Sequence, residues 1–209
     1  MSEIILVRHG QASFGADSYD KLSDKGVEQV KVLARHWQEV GEQFDHVYSG
    51  TLLRQRETAN ELLALVKGAP SASTENPSFN EYNGDPLMRV YLRDHAAQEG
   101  FDEPIAWPIK DERLFQRVFE AACAKWIRGE LTPSSEEANF EHWVDFQDRV
   151  HTAVDEIMAR HKEGARVLVS TSGGVIAMVL QRVLQFPDDA VITTNWMVRN
   201  SSVSRIKYG

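Results

Sequence analysis

Short apolar runs alternate with helical stripes along this chain, and that alternation restricts the fold more than any other feature. Residues 4–7 are a continuous run of isoleucine, leucine and valine, which is typical of a strand buried on both faces. Apolar positions at helical spacing follow, among them Val27, Val30 and Trp37, and a second short strand is expected at residues 45–49. This order predicts a βαβ unit, in which a helical crossover joins two parallel strands.

The same alternation continues towards the carboxyl terminus. Further helices are expected at about residues 52–66, 139–162 and 175–185. Further strands are expected at residues 166–171 and 203–208, and the small, polar residues 68–77 are expected to form a loop. The sequence therefore predicts an α/β fold, a three-layer sandwich with helices on both faces of a mostly parallel central sheet.

Residues 84–135 interrupt this order, because they carry four prolines and a helical stripe that ends near Gly129. We expect a helical insertion over the sheet rather than a second domain, so that residues 1–209 form one domain. The aromatic residues of this insertion are expected mainly in the core. They are Trp107, Phe115, Phe119 and Trp126. An insertion above the strand ends would also influence substrate choice.

The charge balance excludes several classes of partner. With 23 Lys and Arg against 31 Asp and Glu, the net charge of −8 argues against a broad nucleic-acid or anionic-membrane surface. A small anionic ligand is still allowed, because a few arginines can dominate the local field. The single cysteine, Cys123, excludes an intramolecular disulfide and a multi-cysteine zinc site. We expect a cytoplasmic protein, since the amino terminus does not resemble a signal peptide and no apolar run is long enough to span a membrane.

Three of the predicted strand ends carry residues suited to an anion. In chain order they are Arg8 and His9, then Arg54, then Ser172 and Gly173. Open parallel sheets bind ligands at the carboxyl ends of their strands. A helix that starts after Ser172 would add free backbone N–H groups, and arginine guanidinium groups match phosphate oxygens. These residues predict a phosphate site.

A histidine between two arginines suggests phosphoryl transfer. Neutral imidazole can attack phosphorus, and the arginines would stabilise the charge of the transferring group. The leaving oxygen needs a proton, for which Glu81 in the Phe-Asn-Glu-Tyr-Asn sequence of residues 79–83 is a candidate donor. The arginines would supply positive charge in place of a metal ion, so we expect neither a metal nor another cofactor.

The same residues could also have purely structural roles. Arg54 could pair with Glu57 or Glu61 on a helix surface, where such pairs contribute little. Glu81 could be an ordinary loop carboxylate, and Ser172 could be only a helix cap.

Four ordered blocks resemble the histidine phosphatase superfamily, the phosphoglycerate mutase-like proteins. Residues 6–11 are Leu-Val-Arg-His-Gly-Gln, and residues 22–29 are similar to the family's L-[ST]-x-x-G-x-x-Q helix start. Residues 50–59, Gly-Thr-Leu-Leu-Arg-Gln-Arg-Glu-Thr-Ala, are similar to S-P-L-x-R-A-x-x-T-A. Residues 200–203 resemble the N-x-S-[VI] entry to the last strand. The resemblance covers nearly the whole chain outside residues 84–135.

The resemblance implies roles for individual residues. His9 would be the nucleophile that is transiently phosphorylated, Arg8 and Arg54 would hold the phosphate, and Glu81 would donate the proton. Two departures bear on these roles: the family's G-x-W-E-G sequence after the acid is missing, and Ser172 stands where the family's H-G-G sequence has a histidine. Losing one preorganised donor typically costs about 10²–10³ in rate, so phosphate binding should persist even where turnover suffers.

The sequence thus favours a phosphomonoesterase with a phosphohistidine intermediate, with two alternatives on the same fold. One is a catalytically weak or inactive phospho-ligand-binding module, and the other is a phosphomutase. A serine hydrolase built on Ser172 is excluded in its usual form, because residue 170 is Ser rather than Gly and no histidine follows His161. The expected partner is a small phosphorylated substrate or inorganic phosphate. Sugar phosphates, nucleotides and phosphopeptides all fit, and the oligomeric state does not follow from the sequence.

Overall fold

The computed structural model describes residues 1–13, 20–98, 100–101 and 105–209. Its strands are β1 (Ser2–Arg8), β2 (His46–Ser49), β3 (Thr74–Glu75), β4 (Arg166–Thr171) and β5 (Val203–Tyr208). Within the described residues they form one five-stranded sheet in the order β3-β2-β4-β1-β5. All neighbouring strands are parallel except β5, which is antiparallel to β1. The mostly parallel sheet confirms the predicted fold class.

Seven α-helices flank this sheet in the described part of the chain. They are α1 (Asp24–Glu39), α2 (Leu53–Leu65), α3 (Gly84–Asp94), α4 (Glu112–Ile127), α5 (Trp143–Arg160), α6 (Gly173–Leu184) and α7 (Ala190–Met197). Helices α1 and α2 pack on one face of the sheet, and apolar side chains of the other five belong to the core on the opposite face. The three-layer arrangement is therefore the one that the sequence predicts.

Strand β1 is buried on both faces, as its apolar run predicts. Ile4 and Leu6 belong to the larger core beside α3 to α7, whereas Ile5 and Val7 belong to the core beneath α1 and α2. All four are completely shielded from solvent. Because side chains alternate across a strand, only a continuous apolar run can supply both cores at once.

The structure corrects some details of the sequence prediction. The expected loop at residues 68–77 contains β3, whose Thr74 pairs with Tyr48 of β2. These residues form a strand because they pair with β2, and their own polar sequence does not predict that pairing. Helix α7 was also not expected, and α5 is shorter than predicted because a 3₁₀ turn, Ser135–Glu137, and an irregular segment precede it. The segment 84–135 is helical as expected, with α3 and α4 as its main elements.

Polar residues interrupt the apolar stripes of every described helix. Even α5, which has 18 residues, alternates a buried side, including Phe146 and Val150, with charged residues such as Asp145 and Arg149. No described helix is both long and apolar enough to cross a membrane.

Candidate active site

The candidate site lies where β1 and β4 end side by side. Arg8 is the last residue of β1 and is in register with Thr171, the last residue of β4. The backbone N–H of His9 donates to the carbonyl of Thr171 across 2.9 Å. Parallel pairing therefore brings Arg8 and His9 next to Ser172, from which α6 starts.

His9 is buried, and its hydrogen bonds define its protonation. Nδ1 lies 2.7 Å from the carbonyl oxygen of Gly10, which can only accept, so Nδ1 carries the hydrogen. Nε2 lies 3.2 Å from Nε of Arg54, which donates to it, so Nε2 presents its lone pair. Burial first, and then the positive charge of Arg54, lower the pKa of His9 to about 3. The imidazole is neutral at physiological pH.

Arg54 is held in place by an acidic residue that the sequence analysis did not single out. Its Nη1 forms an ion pair with Oδ1 of Asp20, and the other carboxylate oxygen of Asp20 accepts from the backbone N–H of Leu53 across 2.6 Å. The side chain of Arg54 is only 13% exposed. The alternative in which Arg54 pairs on the surface with Glu57 or Glu61 is therefore wrong.

Arg8 is half-buried at the same edge of the sheet. Its Nη1 donates to the carbonyl of Val198, while its buried Nε has no protein partner. Burial lowers the pKa of the guanidinium, and the nearby Glu81 opposes that shift. Arg8 thus keeps donor capacity for an anion.

Glu81 lies against the first turn of α6. Its Oε2 accepts from the backbone N–H of Gly174 across 2.9 Å, and its buried Oε1 has no protein partner. Burial raises the pKa of this carboxyl, although Gly174 and the two arginines oppose the shift. A Cβ at Gly174 would lie 2.2 Å from Oε1 of Glu81, so only glycine leaves room for the carboxyl. The environment favours the protonated acid.

The loop before Glu81 is fixed by Arg149 of α5. Nη1 of Arg149 donates to the carbonyls of Ser78 and Asn80 across 2.9 and 2.8 Å, and Glu141 holds the same guanidinium in an ion pair. These contacts orient the segment from which Glu81 projects. No sequence motif singles out Arg149, because it lies on a different element 69 residues beyond Asn80.

Ser172 is fully buried and does not cap α6 with its side chain. Its hydroxyl instead accepts a 2.8 Å hydrogen bond from Nε2 of Gln55, which also donates to the carbonyl of Phe79. Ser172 is thus the N-cap residue of α6, as the cap interpretation has it, but its side chain makes no capping hydrogen bond. Gln55 is a residue that the sequence analysis passed over, although it departs from the alanine of the family block at residues 50–59.

Gly173 is the first residue of α6, where backbone N–H groups have no partner inside the helix. A Cβ at this position would lie 2.2 Å from Oδ1 of Asn195 and 3.4 Å from Cζ of Arg8. The close approach explains the glycine. It brings the guanidinium of Arg8 and the amino terminus of α6 to the same place.

The other sequence blocks that carry the family resemblance hold the loop around His9. The backbone N–H of Gly10 donates to Oγ1 of Thr58 across 3.1 Å, and Nδ2 of Asn200 donates to the carbonyl of His9 across 3.0 Å. Ser23, the N-cap residue of α1, accepts from the N–H of Gly26, and its own backbone N–H donates to the carbonyl of Gln11 across 2.9 Å. The blocks that are far apart in sequence therefore meet at His9.

A cleft of about 860 Å³ reaches two residues of the candidate site, Arg54 and Glu81. Arg54, Glu81 and Asp20 line it, and residues of the segment 84–135 supply much of the rest of its lining. Of the aromatic residues expected mainly in the core, Trp126 is buried, whereas the other three line the cleft. They are Trp107, Phe115 and Phe119.

Two further residues named in the sequence analysis, His161 and Cys123, are not among the residues that line this cleft. Nε2 of His161 lies 2.8 Å from the hydroxyl of Tyr48, and Cys123 is buried in α4. Among the residues that the structure describes, no group of three or more His, Cys, Asp or Glu side chains is arranged to hold a metal ion.

The chain belongs to the histidine phosphatase superfamily (branch 1), whose family model matches residues 4–115 and 107–209. A curated relative, 2,3-bisphosphoglycerate-dependent phosphoglycerate mutase 1 of Lactobacillus johnsonii, is 22% identical over 215 residues. The alignment covers 92% of this chain and 88% of the mutase.

Solved structures give the same fold. YhfR of Bacillus stearothermophilus has a TM-score of 0.66 and 20% identity, and the match covers 100% of this chain and 92% of YhfR. Phosphoserine phosphatase of Entamoeba histolytica, solved in complex with 3-phosphoglyceric acid, has a TM-score of 0.63 and 15% identity, with 98% and 90% coverage. At these identities, the likeness shows the fold alone.

Proposed function

We propose that this protein is a phosphomonoesterase that works through a phosphohistidine on His9. The observation that carries the proposal is the neutral Nε2 of His9, which presents its lone pair beside Arg54. A buried carboxyl with a raised pKa, Glu81, lies at the same cleft. A nucleophile, a cationic clamp and a general acid are the groups that phosphoryl transfer from an alcohol requires.

In the first step, Arg8 and Arg54 bind the phosphoryl oxygens, with the N–H of Gly173 and the hydroxyl of Ser172 as further donors. Nε2 of His9 attacks phosphorus, and the bond from phosphorus to the ester oxygen breaks. The electron pair of that bond stays on the leaving oxygen, which takes the proton of Glu81 and departs as an alcohol. The positive charge of the arginines offsets the charge that develops on the transferring group.

In the second step, water attacks the phosphohistidine. Glu81, now a carboxylate, accepts a proton from the water, and the bond from phosphorus to Nε2 breaks. Inorganic phosphate leaves, and His9 returns to its neutral form. The two steps restore every group, and the positive charges of Arg8 and Arg54 take the part that Mg²⁺ has in other phosphoryl-transfer sites, so we propose no metal or other cofactor.

We also propose that Ser172 replaces a second histidine at this site and that Gln55 compensates for the change. The family block has alanine at residue 55 and the H-G-G block has histidine at residue 172, whereas here both positions are polar and in contact. The longer Gln55 side chain would fill the space that a histidine at 172 would need. The same contact leaves the phosphate one cationic donor fewer than the family pattern offers.

The second candidate is a phospho-ligand-binding module with little or no turnover. The specific observation in its favour is that the Ser172 hydroxyl is engaged by Gln55 inside the protein. Arg8, Arg54 and Gly173 would still bind phosphate in such a module. We propose that residues 1–209 form one domain in either case, with residues 84–135 as an insertion.

Steady-state hydrolysis of 4-nitrophenyl phosphate from pH 4.5 to 8 tests the proposal. We expect turnover in the wild type, loss of more than about 10³-fold in kcat for His9→Ala, and no effect of a chelator. Full activity in His9→Ala would contradict the nucleophile, and strong inhibition by a chelator would contradict the metal-free mechanism. No turnover at all, with phosphate still raising the Tm, would favour the binding module.

A further inference from the structure

The walls of the active-site cleft are mostly apolar. Five large apolar side chains line it together with Arg54, Glu81 and Asp20, and they come from the N-cap of α2, from α3, from α4 and from the segment before α4. They are Leu52, Met88, Trp107, Phe115 and Phe119. Phe115 is 37% exposed, and it stacks on Phe119 with the ring centroids 5.9 Å apart. An exposed aromatic surface next to a reacting centre favours an apolar ligand group.

The charged side chains of the cleft do not provide a second anion site. Arg54 is the one basic residue among the described residues that line it. Asp20 and Asp85 also line it, and Asp85 pairs with Arg89 across 2.7 Å. Arg89 lies over the ring of Trp107 at 5.5 Å, so its charge is already shared between a carboxylate and an aromatic face.

The residues outside the described part add no positive charge to this balance. Residues 14–19 are Phe-Gly-Ala-Asp-Ser-Tyr, residue 99 is Glu, and residues 102–104 are Asp-Glu-Pro. None of these is lysine, arginine or histidine. The net charge of the whole chain is also −8, so the wider surface does not attract anions towards the cleft.

From these observations we propose the substrate class: phosphomonoesters whose alcohol part is apolar or aromatic and carries no carboxylate or second phosphate. The inference rests on the proposed function, because it assumes that phosphate binds at Arg8 and Arg54. One phosphate dianion matches those two guanidinium groups. The rest of the substrate would then lie against the aromatic wall, which stabilises it by burying apolar surface.

A second anion on the substrate would find no second basic residue among the described residues that line the cleft. It would replace its hydration by contacts with aromatic rings, and the carboxylates of Asp20 and Asp85, each paired with an arginine, offer it no hydrogen-bond donor. Phosphoglycerates, bisphosphates and other substrates with a second acidic group are therefore expected to be poor, which also argues against mutase activity.

The test compares phenyl phosphate with 4-carboxyphenyl phosphate in the full-length wild-type protein. The two esters have the same ring, and the carboxylate makes the phenol a slightly better leaving group. A lower kcat/KM for the carboxylate ester must therefore come from the cleft. We expect kcat/KM to be at least about tenfold lower for 4-carboxyphenyl phosphate, and lower still for 3-phosphoglycerate.

A charge substitution at the wall sharpens the test. Phe115→Lys adds a cation on the exposed part of α4 that lines the cleft. The kcat/KM for 4-carboxyphenyl phosphate, divided by that for phenyl phosphate, should therefore rise about tenfold. Gln116→Lys is the matched control, since Gln116 is the next residue of α4, is exposed and does not line the cleft. Its substrate ratio should match that of the wild type.

The outcomes separate the substrate class from the proposed function. Equal kcat/KM for the two aryl esters, or equal substrate ratios for Phe115→Lys and Gln116→Lys, would overturn the substrate class while leaving the phosphatase intact. No hydrolysis of any ester by the wild type would overturn the proposed function itself. In that case, equal affinities of the two intact esters, measured by calorimetry, would also overturn the substrate class for a binding module.

Discussion

Nε of Arg54 lies 3.2 Å from Nε2 of His9 and donates a hydrogen bond to its lone pair. The contact keeps the imidazole neutral and points its basic nitrogen towards a positive charge. A phosphoryl group that enters the site would accept the N–H of Arg54 on an oxygen and receive the lone pair of His9 on phosphorus. One hydrogen bond therefore positions both the nucleophile and the arginine that binds the phosphate. When substrate binds, contacts of Arg54 and of His9 with the phosphoryl group replace it.

The buried neutral His9 makes stability depend on pH. Its pKa is about 3 in the folded protein, against 6.5 in an unfolded chain, so only the unfolded chain takes up this proton between those values. The stabilising contribution of the neutral ring is complete above pH 6.5. It is lost as the pH falls towards 3, at up to about 1.4 kcal/mol per pH unit.

His9→Gln cannot take up that proton, so its free energy of unfolding should depend less on pH in this window. Urea denaturation of both proteins from pH 7.5 down to pH 4.5 measures the difference, in which the titration of other groups cancels. Parallel curves for the two proteins would contradict the lowered pKa of His9.

Glu81→Gln tests the general acid. The amide keeps an oxygen for the N–H of Gly174 but has no acidic proton, so hydrolysis of an alkyl phosphate should fall by about 10²–10⁴ in kcat. An ester of 2,4-dinitrophenol needs no protonation, so its bond cleavage should be affected far less. Equal losses with both esters in single-turnover measurements would show that Glu81 is not the acid.

Glu81→Gln should also have a higher free energy of unfolding than the wild type at pH 7. The pKa of Glu81 is raised in the folded protein, so the folded state holds this proton more tightly than the unfolded chain does. Ionisation of Glu81 therefore lowers stability as the pH rises above its ordinary value of 4.5. Denaturation at pH 4 and pH 7 should show a gain for Glu81→Gln that grows with pH. A gain independent of pH would contradict the raised pKa.

Asp20→Asn tests the residue that holds Arg54. We expect kcat for 4-nitrophenyl phosphate to fall about tenfold, because the guanidinium is less well oriented. KM should change less than about threefold, since losing a negative charge near the phosphate offsets the poorer orientation. Glu75→Gln is the control, because Glu75 pairs with the half-exposed Arg56, away from the cleft. An unchanged kcat in Asp20→Asn would exclude the positioning role.

Gln55 and Ser172 should behave as a coupled pair. Ser172→His alone adds a large ring against Gln55 in a fully buried position, which should cost about 1–3 kcal/mol of stability. The double variant Gln55→Ala/Ser172→His provides space for the ring and should recover most of that loss. Because it restores a cationic donor, its kcat should exceed that of the wild type about tenfold or more. Additive effects on stability would mean that Gln55 does not compensate for Ser172.

Much of the fold was predictable, because the central strands β1 and β4 are almost entirely buried and therefore have continuous apolar sequences. Ile4 to Val7 predict a central strand without any knowledge of the neighbours. Thr74 and Glu75 do not, because their strand is short, polar and exposed, and it exists only through pairing with β2. Edge pairing of this kind depends on tertiary contacts rather than on local pattern.

The candidate site was predictable where it coincides with sequence blocks and less so elsewhere. Arg8, His9 and Arg54 lie in blocks that also hold the surrounding loops, and the structure brings them to one edge of the sheet. Asp20 follows no pattern, and Arg149 acts through the backbone of a distant loop. Gln55 could have been singled out from the sequence, because it stands where the family block has alanine, just as Ser172 stands where the family has histidine.

The measurement that tests the central claim most directly is the trapping of a phosphohistidine. Glu81→Gln is mixed with 2,4-dinitrophenyl phosphate, because this ester needs no acid for the first step and the variant lacks the base for the second. The mixture is quenched in alkali, in which phosphohistidine survives, and peptides are examined by mass spectrometry. We predict one phosphoryl group per chain on His9, and none in Glu81→Gln/His9→Ala. Release of dinitrophenol with no phosphorylated His9 at any time point would contradict the account.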